Sequence, residues 1–160
     1  MKLRYTQFLL PMIAFFAVSA AHALPNPASK FCTDQGGELE FVSIKEKGTE
    51  GLCTFGKAAI DQWTLFYFKA SVRPQAAVTA FCKSQNNPAS AIAQPETVFC
   101  KSVGGTPVEA ETTAKGSGAK LCYFEEDKST IEQWTLFLGP KHPDNLNLNR
   151  VIGCQLSHLQ

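Results

Sequence analysis

The sequence is poor in the residues that chemistry usually needs. Its 160 residues hold three histidines, and there is no Cys-x-x-Cys, Gly-x-Ser-x-Gly or His-Glu-x-x-His motif and no phosphate-cradling glycine loop. Charge of neither sign dominates. Fifteen Lys and Arg face 14 Asp and Glu, for a net charge of +1. That balance makes no electrostatic case for nucleic acid or an anionic membrane surface. Long apolar runs are also missing, with one exception at the start. Phe8 to Val18 is apolar apart from Pro11, and it falls short of the roughly 20 residues a membrane span requires.

That run belongs to a secretory signal. Lys2 and Arg4 supply the positive start, and Ala21-His22-Ala23 puts small residues at the positions read by signal peptidase. Residues 1–23 are therefore read as a cleaved signal peptide, and the mature protein as periplasmic or secreted. No cysteine follows the cleavage site, so no lipid anchor is expected there. Removing Lys2 and Arg4 leaves 13 basic residues against 14 acidic ones. Six cysteines remain, an even number that in an exported chain reads as a disulfide framework. His142 and His158 have no ligand spacing with any cysteine pair, so no metal or other cofactor is expected.

An internal repeat organises the chain. Ile60-Asp61-Gln62-Trp63-Thr64-Leu65-Phe66 returns as Ile131-Glu132-Gln133-Trp134-Thr135-Leu136-Phe137. Phe31-Cys32 with Gly36-Gly37 returns as Phe99-Cys100 with Gly104-Gly105, and Leu52-Cys53-x-Phe55 as Leu121-Cys122-x-Phe124. Cys82 and Cys154 close the two copies. Residues 24–86 are the first unit and 87–160 the second.

Each unit opens with a helix. Asn26-Pro27 caps the first one, and Gly36-Gly37 ends it. The second copy starts near Gln94-Pro95. Glu38 to Ile44 and Gly51 to Phe55 alternate as strands around a turn, as do Pro107 to Thr112 and Ala119 to Phe124. The tryptophan segment reads two ways. Ser129-x-x-Glu132 resembles a capping box and favours a helix, while Trp-Thr-Leu-Phe also suits a strand. With the helix preferred, the expected fold class is α+β, two similar helix–hairpin–helix units, disulfide-bonded. The hairpins could join into one sheet, since an isolated hairpin is only marginally stable. Trp63 and Trp134, at equal repeat positions beside Leu and Phe, are expected in the core of each unit.

Asn26-Pro27-Ala28-Ser29-x-x-Cys32-x-x-x-Gly36-Gly37, Gly51-x-Cys53-x-Phe55 and Asp61-x-Trp63 together resemble a small bacterial exported domain of unknown function, whose members are often labelled hemolysins. The likeness spans residues 26–66 and, more loosely, 94–137, which implies a tandem pair. It implies no catalytic residue. Many members carry a cysteine just before the acidic-x-Trp element, where this chain has Ala59 and Thr130.

Pairings then follow for all six cysteines. Cys32 with Cys53 and Cys100 with Cys122 would tie the opening helix to the returning strand of each unit. Cys82 and Cys154, left over at equivalent positions, would bridge the units. Six cysteines allow about 15 connectivities, so these are expectations.

The functional expectation is an exported non-enzymatic binding module, such as an inhibitor of an extracytoplasmic hydrolase, with an exported protein or a cell-envelope component as partner. Neither nucleic acid nor stable membrane insertion is expected. Its contact regions would be the turns Lys45–Glu50 and Ala114–Ala119 and the linker Ser84–Pro95. The alternative is a small cell-wall or glycan-active hydrolase using Glu125, Glu126 or Asp127, although such acids before a helix N-terminus are usually solvated. A membrane-damaging toxin ranks third, because no amphipathic stretch is evident.

Overall fold

The computed structural model describes residues 26–85, 93–112 and 118–154. Residues 1–23, expected to be a signal peptide, the expected unit boundary at 86/87, His158 and part of the turn Ala114–Ala119 lie outside the described residues. The first half runs α1 (Pro27–Asp34), β1 (Glu38–Ile44), β2 (Gly48–Phe55), β3 (Ala58–Asp61), α2 (Gln62–Lys69) and α3 (Ala76–Lys83). The second runs α4 (Pro95–Ser102), β4 (Thr106–Thr112), β5 (Gly118–Phe124), β6 (Ser129–Glu132) and α5 (Gln133–Leu138), then a 3-10 turn and α6 (Leu146–Ile152).

The six strands close into an antiparallel barrel in the order β1-β2-β3-β6-β5-β4, with β4 paired to β1. The expected pair of helix–hairpin–helix units is thereby corrected. Each half has three strands, because the tryptophan segment begins as a strand and turns into a helix only at Gln62 or Gln133. Ser129 is a strand residue whose hydroxyl accepts the Ala77 N–H at 2.9 Å, and Glu132 is the true N-cap of α5. The physical reason is the sheet edge. A hairpin alone leaves a row of unpaired backbone groups, and the third strand of each half covers one. The barrel then closes where Ile60 pairs with Ile131 and where β1 pairs with β4.

Two cores result. Val42, Ile44, Leu52, Ala59, Ala110 and Leu121 come only from strands spread around the barrel and fill its lumen. The larger core lies between the outer barrel face and the helices, around Ile60, Leu65, Phe81, Ile131, Leu136 and Leu148. Three disulfides join Cys32–Cys53, Cys100–Cys122 and Cys82–Cys154. The first two are fully buried and pin α1 and α4 to β2 and β5. They explain the second glycine of each pair. A Cβ on Gly37 would sit 2.6 Å from Cys53 Sγ, and one on Gly105 would collide with Cys122 Sγ. The first glycines, Gly36 and Gly104, take positive φ after the helix end.

Candidate functional site

The repeated segment puts the same residue types at the two ends of the β3–β6 seam. Asp61 is the N-cap of α2, and its Oδ2 accepts the Thr64 N–H at 2.7 Å. Glu132 caps α5, accepting from the Trp134 and Thr135 N–H groups at 2.8 and 2.6 Å and from the Thr135 hydroxyl at 2.9 Å. Burial pushes the Asp61 carboxyl up to about 7, a rise its helix N–H partners oppose. The Glu132 carboxyl is raised for the same reason. Glu50 on β2 is raised by burial as well, against the Thr130 hydroxyl and the Lys47 ammonium.

The tryptophans are not core residues, which corrects that expectation. Trp63 is half-buried and Trp134 is 42% exposed. On α2 the inward positions are Gln62, Thr64 and Leu65, and on α5 they are Gln133, Thr135, Leu136 and Phe137, so each indole falls on the outer flank. Gln62 accepts a hydrogen bond from Ser29 at 2.6 Å, and Gln133 accepts one from Thr97 at 2.7 Å. Those glutamines anchor each tryptophan helix to the opening helix of its own half.

Each tryptophan therefore borders a cavity. One of about 400 Å³ is lined by Asp61, Trp63, Glu50, Phe41, Arg73 and Lys128. Another of about 370 Å³ is lined by Glu132, Trp134, Leu138, Asp144 and Lys57. Lys57 stands three residues before Ile60, and Lys128 three before Ile131, so the two lysines occupy equivalent repeat positions. Each cavity thus combines the capping acid and tryptophan of one half with the turn lysine of the other. The sequence repeat singled out the acid and the tryptophan of each cavity, but neither the lysines nor their assembly across the seam.

The two cavities differ. Trp63 stacks on Tyr67 with ring centres 5.3 Å apart, and the Arg73 guanidinium lies 4.8 Å from the centre of the Tyr67 ring. In the second half Leu138 replaces Tyr67, and Lys57 pairs with Asp144 at 3.3 Å.

The acids Glu125, Glu126 and Asp127 border a different cavity of about 670 Å³, walled by Ala76, Ala80, Phe99 and Phe124. Asp127 caps α3 by accepting the Ala76 N–H and also accepts from Ser129 at 2.9 Å. Hydrogen bonds from Lys128 and Lys47 hold the Glu125 carboxyl below its ordinary value. His142 caps the 3-10 turn, accepting the Asp144 N–H at 3.3 Å. No nucleophile stands beside it in the described contacts. The Lys45–Glu50 turn sends Lys47 over the Tyr123 ring at 3.7 Å, and residues 86–92 of the expected linker contact lie outside the described residues.

With the opening helix, the three strands, the disulfide and the tryptophan of the first half in place, the family comparison has a structural meaning. Residues 23–67 match DUF333, a domain of unknown function. The DUF333 stretch runs from the entry to α1 into α2, and so contains Cys32, Cys53, Asp61 and Trp63. No curated protein and no solved structure matches the chain. Three disulfides suit an oxidising compartment, and among the described residues no helix is long and apolar enough to cross a membrane.

Proposed function

We propose that this chain is an exported, non-enzymatic binding module that holds its partner through the two tryptophan cavities. The second half is a diverged copy of the DUF333 stretch, and the duplication supplies two related sites on one rigid frame. The observation that carries the reading is the doubled combination of tryptophan, capping carboxyl and turn lysine at the seam. A disulfide-stapled barrel orders few groups on binding, so little interaction energy is lost to entropy. The acids of the alternative, hydrolytic reading are engaged elsewhere: Asp127 caps a helix, and Glu125 is ion-paired and exposed.

The test compares the immobilised, oxidised mature protein with Trp63→Ala and Trp134→Ala variants in envelope and secreted extracts. A component retained by the native protein and lost from either variant is the expected result. Loss of a hydrolase's activity in that complex would identify the module as an inhibitor. Turnover of peptidoglycan or another glycan, abolished by Glu125→Gln or Asp127→Asn, would overturn the binding reading.

A further inference from the structure

Arg73 sets the first cavity apart. Its guanidinium is held against the Tyr67 ring, whose neighbour in the stack is Trp63. Among the described residues it has no carboxylate partner and no hydrogen bond, whereas Lys128 is tied to Glu125 at 2.9 Å and Lys57 to Asp144. Stacking orients the planar fork without using its N–H edges, which match a carboxylate two bonds at a time. The neighbouring indole offers a flat apolar wall, on which an aliphatic ring can lie through its C–H face. Asn26 and Thr49 add short polar groups around the same cavity.

We infer that the Trp63 cavity binds a saccharide ring bearing a carboxylate, with the ring against Trp63 and the carboxylate on Arg73. The inference rests on the binding-module reading and names the ligand class of one of its two sites. An acidic sugar fits better than an acidic peptide, because an indole and a guanidinium line the same cavity, one suited to a sugar ring and the other to a carboxylate. Burial raises both Asp61 and Glu50, so the floor of the cavity carries less negative charge than two ordinary carboxylates and repels such a ligand less. The second cavity lacks the tyrosine and the unpaired arginine, and it does not take this ligand.

The probe is trigalacturonate, titrated at pH 7 and low salt into a Trp134→Phe variant, so that Trp63 alone reports by fluorescence. A saturable change is expected. Arg73→Gln should weaken it roughly tenfold or more, as the loss of a charged hydrogen-bond pair implies, and Arg73→Lys should recover only part. Maltotriose, the neutral control, should bind at least about tenfold more weakly. Circular dichroism of both arginine variants controls for folding. Equal binding of maltotriose, an unaffected Arg73→Gln variant, tighter binding of triglutamate, or full competition by equimolar acetate or inorganic phosphate would each overturn the inference. If trigalacturonate fails while tryptophan-dependent capture from extracts persists, only the ligand class is wrong. If both fail, the binding-module reading falls with it.

Discussion

Thr64 Oγ1 accepts the backbone N–H of Thr130 at 3.0 Å, across the seam where the two halves of the barrel meet. The repeat makes this contact reciprocal: Thr135 Oγ1 accepts the Ala59 N–H, also at 3.0 Å. Each half lends a helix hydroxyl to the other half's third strand. These bonds flank the single registered pair, Ile60 with Ile131, and extend a ladder that is otherwise one residue long. The capping acids hold the threonines in place from below.

Replacing Thr64 by Val keeps the shape and removes the acceptor. The Thr130 N–H is then buried without a partner, and the expected loss is about 1–3 kcal/mol in urea unfolding. Thr135→Val should cost a similar amount through Ala59, while Thr64→Ser should restore most of the stability. A Thr64→Val midpoint equal to the native one would show that the seam bond contributes nothing.

The capping acids give stability a pH dependence of definite sign. Asp61 rises from 3.8 to about 7 on folding, so the native state holds the proton more tightly than the unfolded chain. Its contribution is complete below pH 3.8 and is lost as pH rises through about 7. Glu50 and Glu132 are shifted in the same direction. Unfolding free energy should therefore decline between pH 4 and 8, with Asp61 accounting for about 2–4 kcal/mol. Asp61→Asn, which preserves an N-cap oxygen, should flatten the profile. A variant profile parallel to the native one would rule out Asp61 as the source.

The disulfides should reduce in order of access. Cys32, Cys53, Cys100 and Cys122 have no exposed surface, whereas Cys82 and Cys154 are partly exposed. A mild reductant followed by thiol alkylation and peptide mapping should label Cys82 and Cys154 first. Removing that bridge should also cost more through chain entropy, since it closes a 72-residue separation against 21 and 22 for the others. The difference is about 1 kcal/mol. First labelling at Cys32 or Cys100 would contradict the burial argument.

The two indoles should be distinguishable in solution. Acrylamide should quench Trp134, in the Trp63→Phe variant, more strongly than Trp63 in the Trp134→Phe variant, because Trp134 is 42% exposed and Trp63 is stacked on Tyr67. Equal quenching constants would place both tryptophans in one environment, against the observed asymmetry.

Parts of the site were legible in the residues. The repeated acid-Gln-Trp-Thr segment marked the positions, since identical side chains in two copies must answer the same local need. Its purpose was hidden, because Thr64 bonds Thr130 in the other half of the chain and Lys128 lines the cavity of Asp61 and Trp63 from across the seam. The Ser129-x-x-Glu132 spacing misled for a related reason. A capping box is local, and nothing local reveals that Ser129 is taken by the sheet and by the Ala77 N–H. The exposure of Trp134 was equally hidden, because which flank of α5 faces the core depends on where the helix begins.

What the sequence determined by itself is local or counted: the opening helices with their Asn26-Pro27 and Gln94-Pro95 starts, the glycine pairs that end them, the two long hairpins, the repeated segments and an even set of cysteines. Propensity, capping and spacing act over a few residues, and they leave their mark in the chain. Only the tertiary structure decided that the tryptophan segment splits into strand and helix, that six strands close a barrel, and that the two cavities are shared between halves. Those outcomes depend on pairing Ile60 with Ile131 and Val42 with Thr112, contacts between distant residues that satisfy sheet edges neither half could satisfy alone.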